Sequence, residues 1–224
     1  MKKTLYLLLI LCSFQKYSVS QNKKADDSVE TQIKFPGKSS AQDQANQANW
    51  TSEQISKANT AKDISFLSDE ERDAIMYINL ARLYPKDFVK IEMTNYFGTD
   101  KYGDFYRKSK FRASLISQLK RAVAMDALVF DQVLYEDAKC FSNEIGEKGQ
   151  EGHHRKKCKK NNFAECLSYG MNNGKDIAMQ WLIDDRVESL GHRKICLDKT
   201  YKKIAISVHA HKKWDTCAVA ELIW

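Results

Sequence analysis

Hydrophobic positions along the chain change their period three times. Leu5 to Leu11 is a short unbroken apolar run, and from about Gln21 to Asp63 no regular pattern exists. From Ser68 the period is helical. Ser68-Asp-Glu-Glu71 is a capping box, in which the first and last residues satisfy each other's orphan amides. Ala74, Ile75, Ile78 and Ala81 follow at helical spacing until Pro85 ends or restarts the helix. Ser109 to Arg121 carries apolar residues at the same period among basic ones. Asp131 then caps a helix in which Leu134, Ala138, Phe141 and Ile145 share one face. Phe163 to Tyr169 reads as a short strand and Gly170 to Gly174 as a turn. Ile177, Trp181 and Asp184 lie along one face of a further helix. Finally Ile204, Ile206 and Val208 alternate, and Thr216 to Leu222 forms a second apolar run beyond a polar link, which predicts a hairpin. Helices, one strand, a helix and a closing hairpin predict an α+β domain with a small antiparallel sheet between helices.

Composition sets the organisation. A hydrophobic share of 43% in 224 residues supports one good-sized domain with appendages. Lys2 and Lys3 before the apolar run, and Ser18-Val19-Ser20 after it, read as a signal peptide over 1–20 cut after Ser20. That predicts a secreted, periplasmic or cell-surface protein. Gln, Asn, Lys, Ser, Asp and Ala dominate the next stretch, so 21–65 is expected to be a flexible polar spacer, with room for a short helix near Trp50. The domain itself is expected over 66–224. Removing Lys2, Lys3 and Lys16 brings the charge from +7 to about +4, too mild to imply nucleic-acid binding. No segment beyond the leader is apolar enough for an integral membrane protein.

Candidate chemistry sits in two polar groups. Gly152-His153-His154-Arg155 precedes Phe163-Ala164-Glu165-Cys166, and Asp184-Asp185 precedes Gly191-His192-Arg193. An apolar stripe that ends in Asp184 aims its carboxylate at the rim of a core, and Gly191 permits a turn that brings His192 to the same rim. Polar caps and solvated charges produce the same spacing, so pattern alone does not decide. The run from His153 to Lys160 is the most basic in the chain and reads as a solvated loop. Cys140, Cys158, Cys166, Cys196 and Cys217 remain after the leader, an odd number that allows at most two bridges. A Cys158–Cys166 bridge would brace the loop between the histidines and Glu165.

The order of a Gly-His pair, a Glu-containing strand, a Trp helix and Gly-His-Arg resembles the CAP superfamily, the SCP domain of cysteine-rich secretory, antigen 5 and pathogenesis-related proteins. The resemblance runs from about Leu67 to Trp224 and is closest to the bacterial secreted branch. It implies an α-β-α sandwich and a cleft with two histidines and two acids. Carried over, these fall on His153 (with His154 as its neighbour), Glu165, Asp184 and His192. Ala164 and Cys166 depart from the glycine and asparagine that usually flank the first acid. Asp184 stands where many members have Glu, so its carboxylate reaches about 1.5 Å less far.

Imidazoles with carboxylates suit Zn²⁺ or another divalent cation, with His153 and His192 as ligands and Glu165 and Asp184 supporting. The resemblance therefore implies a binding module for an extracellular lipid, peptide or surface glycan. The alternatives are a metal-dependent hydrolase at the same four residues and an adhesive protein that uses the basic loop. No HExxH helix is present, and Cys166 beside Glu165 is a poor nucleophile.

Overall fold

A computed structural model describes residues 49–159 and 161–224. The leader, its cleavage point, Cys12 and most of the polar spacer lie outside the described residues.

The elements are α1 (Ser52–Ala58), α2 (Asp69–Leu83), α3 (Pro85–Phe88), α4 (Lys110–Arg121), β1 (Val129–Phe130), α5 (Gln132–Lys148), β2 (Ala164–Tyr169), α6 (Gly174–Ile183), α7 (Gly191–Cys196), β3 (Lys203–His211) and β4 (Asp215–Ile223). The sheet order is β1-β3-β4-β2. β3 and β4 form the expected hairpin, and β2 joins β4 antiparallel. β1 adds a two-residue parallel pairing on β3, too short to leave any alternation in the sequence. Helix α5 packs on one face of the sheet. Helix α2 covers the other, with α6 packed on α2 and α7 on β2. This is an α-β-α sandwich. Its main core holds Ile75, Ile78, Trp181, Ile204 and Ile206, and a smaller cluster of Ala138, Phe141, Leu167 and Val219 lies under α5.

Local signals explain the ends of these elements. Ser68 and Glu71 exchange both bonds of the capping box. Asp131 accepts the amides of Val133 and Leu134. Asn79 and Arg82 on α2 are fully buried. Asn79 bonds the Ala58 and Leu128 backbone, and Arg82 binds the carbonyls of Asp126, Cys196, Asp198 and Tyr201.

The folded unit starts earlier than residue 66. Trp50, Ile55, Ala58 and Ala61 are buried in the main core, and the Trp50 indole donates to Glu92 at 2.6 Å. Few apolar residues populate this stretch, but Trp50, Ile55, Ala58 and Ala61 share one core with the buried residues of α2. Composition averaged over 21–65 therefore understates what a handful of anchors can bury.

Candidate functional site

Helix α6 is locked to the edge of the sheet. The Trp181 indole donates to the Leu167 carbonyl at 2.8 Å, and the Gln180 side chain pairs with the backbone of Tyr169. The helix ends at Asp184, which takes the left-handed conformation (φ 55°, ψ 47°) that Asp tolerates better than most residues. Its side chain turns onto the start of α7. Oδ2 accepts the amides of His192 and Arg193, and Oδ1 meets His192 Nδ1 at 2.7 Å. The shorter acid thus reaches its histidine directly, because the left-handed turn brings the two segments together.

His153 is held from the other side. The Glu144 carboxylate accepts the amides of Lys156, Lys157 and Cys158, and a disulfide joins Cys140 to Cys158. The loop is therefore pinned to α5. The expected Cys158–Cys166 bridge does not form: Cys158 lies under α5, whereas Cys166 belongs to the core on the opposite face of the sheet. Gly152 sits at φ 82° and donates to the Tyr169 hydroxyl, and His153 Nδ1 then meets Glu165 Oε1 at 2.5 Å.

Arg155 corrects the reading of the basic run as wholly solvated. Its side chain is only 6% exposed, lies over the Phe141 ring, and is bonded to Asp137, Glu165 and Glu221. Glu221 stands directly opposite Glu165 in the sheet and is fully buried. Burial first, and then the facing Glu165, push the Glu221 carboxyl far above the usual carboxylate range. Burial also raises Glu165, but bonds with His153, Glu221 and Arg155 outweigh it and hold it low. Glu165 is the charged member of the pair and Glu221 the protonated one. A glutamate inside the apolar run Thr216 to Leu222 was the sequence signal that could have found Glu221.

His153, Asp184 and His192 line one cleft of about 660 Å³, and Glu165 stands behind His153. His154 is exposed, and its carbonyl accepts from Gln150, so of the two neighbouring histidines only His153 faces the cleft. The walls are aromatic: Tyr102, Phe105 and Tyr106 on one side, Tyr169 and Trp181 on the floor, and Trp214 at the hairpin turn. The segment between α3 and α4 supplies the first three. It is tied across to the hairpin by Lys101, which bonds Asp215 at 2.8 Å, and the Tyr102 hydroxyl occupies the space a side chain at Gly170 would need.

Each imidazole has Nδ1 taken by a carboxylate, leaving Nε2 as its open donor or ligand atom. The carboxylates themselves are committed to Nδ1, Arg155 and backbone amides. Among the described residues no group of three His, Cys, Asp or Glu comes together as a metal-holding set. A divalent cation here would have at most the two imidazoles as free donors and would need water or ligand oxygens to complete its shell. Among the described residues no Ser, Thr or Cys lines the cleft, and burial, with Cys196 beside it, pushes the Cys166 thiol up.

A family model described as "CAP: Cysteine-rich secretory protein family" matches residues 77–222. No protein among the curated sequences matches the chain. No helix among the described residues is long and apolar enough to cross a membrane.

Proposed function

The chain belongs to the CAP family, and from that premise we propose that it is an exported binding module whose cleft takes a surface glycan. The observation that carries this reading is the ring of aromatic side chains with polar groups set among them. Tyr102, Phe105 and Trp214 are each more than a third exposed, while His153, Gln180, Asp184 and His192 sit among them. A sugar ring has an apolar C–H face that stacks on such rings and hydroxyls that bond polar side chains at its edge. A lipid tail would call for a more enclosed apolar cavity. An extended peptide would need the free edge of β2, but Trp181 and Gln180 already occupy the outward groups of Leu167 and Tyr169.

Export rests on the charged, apolar leader. A divalent cation such as Zn²⁺, held by Nε2 of His153 and His192, would supply positive charge for a ligand oxygen. Glu165 and Asp184 would orient those rings from Nδ1.

The test is a glycan array followed by calorimetric titration of the hits, with and without Zn²⁺. Trp214→Ala is expected to weaken binding at least about tenfold, as loss of an aromatic anchor does. Glycan binding that survives both Trp214→Ala and Tyr102→Ala would sink this reading. Two carboxylate-oriented imidazoles on one cleft also favour a second reading, a metal-dependent hydrolase acting through water. Turnover that a chelator abolishes and zinc restores would move the assignment there.

A further inference from the structure

We propose that Cys166 and Cys196 form a second disulfide, tying the strand that carries Glu165 to the helix that carries His192. Among the described residues three thiols are left after Cys140–Cys158, namely Cys166, Cys196 and Cys217, and all are buried. The sheet separates them. Cys217 pairs with Tyr169 in register and lies on the α5 side, its sulfur 3.5 Å from the Ser142 carbonyl. Strand alternation turns Cys166 to the opposite face, where it shares the main core with Cys196.

The position of the Cys166 sulfur narrows the choice further. It lies 4.0 Å from the His192 carbonyl oxygen. In an α-helix that carbonyl points along the axis at residue i+4, and i+4 here is Cys196. The thiol of Cys166 therefore sits against the turn of α7 from which Cys196 projects, while Cys217 has the whole sheet between it and that turn. Closing the bond would cross-link the loop that contains all of α6 and the Asp184 corner. Both halves of the cleft would then hang from one covalent tie.

The chemistry is a two-electron exchange. Each thiol gives up its proton, the two sulfurs join, and a small-molecule disulfide such as oxidised glutathione takes the two electrons and two protons to become two thiols. Burial keeps both sulfurs from the oxidant in the finished fold, so the bond forms while the chain folds. Only the natural source of oxidant depends on the exported reading; the pairing itself does not.

The experiment refolds the reduced chain without its leader (residues 21–224) in a glutathione redox buffer, blocks remaining thiols with iodoacetamide, and maps peptides without reduction. The expected product carries Cys140–Cys158 and Cys166–Cys196, with Cys217 alkylated. Alkylation of both Cys166 and Cys196 in product that holds Cys140–Cys158 would overturn the proposal, as would a link from either to Cys217. A Cys217→Ala chain gives the same map if the assignment is right. Cys196→Ala is expected to leave Cys166 alkylated, whether or not that variant is fully stable.

Discussion

Glu165 and Glu221 face each other across β2 and β4, and the single guanidinium of Arg155 is bonded to both. Two like charges cannot both persist in that setting, so Glu221 keeps its proton and Glu165 carries the charge that orients His153. The cleft histidine is thus positioned by a strand pairing and a buried cation that it never touches.

The first prediction separates the members of that cluster. Glu221→Gln replaces a protonated acid by its neutral isostere, removes the cost of holding that proton above the unfolded carboxyl range, and is expected to raise stability at pH 7. Arg155→Ala leaves buried carboxyls without their counter-charge and is expected to cost about 3–5 kcal/mol. A carboxyl raised on folding contributes stability that is complete below its unfolded pKa and is lost as pH rises through the folded one. The parent should therefore lose stability as pH rises from 4.5 to about 10, a limb that Glu221→Gln lacks. Urea unfolding across pH 7–10 measures both.

Glu144 gives the opposite pH dependence. Burial raises its carboxyl, but Lys148 and the amides of Cys158, Lys157 and Lys156 outweigh that and bring it from 4.5 down to about 2. A depressed carboxyl contributes stability that is present above its unfolded pKa and lost as pH falls through the folded one. Melting temperature should drop as pH falls from about 4.5 to about 2. Glu144→Gln should lower it at neutral pH and flatten that acid limb.

Trp50 tests where the domain begins. It is buried against Tyr84 and bonded to Glu92, so Trp50→Ala is expected to cost about 3–5 kcal/mol. A chain starting at Ile64 would also lose Ile55, Ala58 and Ala61 and should melt well below one starting at residue 49. Equal melting temperatures would show that α1 adds nothing to the fold.

His153 and His154 are separable by calorimetry. If the cleft holds Zn²⁺, His153→Ala should abolish the heat of binding and His154→Ala should leave it unchanged, because His154 is turned to solvent. Equal loss in both variants would mean that the loop, not the cleft, takes the metal.

Asp184 is more a structural hinge than a reaching ligand. Asp184→Ala removes the acceptor for two amides and one imidazole at a left-handed corner, and is expected to cost about 1–3 kcal/mol. Asp184→Glu lengthens a side chain that is 1% exposed and already in contact with His192. It should destabilise the corner rather than tighten binding, measurable as a lower denaturation midpoint.

The sequence by itself determined the four longer helices α2, α4, α5 and α6, the late hairpin, the family and the meeting of Asp184 with His192, but not the short helices α3 and α7. These are local or near-local matters: capping residues, periods of 3.6 and 2, and a glycine turn all act over a few positions. Residues 163–169 alternate weakly, yet Gly170 after them and their place before a Trp helix were enough to mark a strand. The tertiary structure alone decided the rest. β1 is two residues long and exists only because β3 offers it an edge. Trp50 looks stranded in a polar segment until α2 and Glu92 surround it. Arg155 reads as one more charge in a basic run, and only the meeting of α5, β2 and β4 turns it inward. Cys158 bonds Cys140 rather than Cys166, because side chains on opposite faces of a sheet cannot meet however near they lie in the chain. Which partner a residue finds across the sheet depends on register and face, and neither is encoded within the few neighbouring positions that a pattern can read.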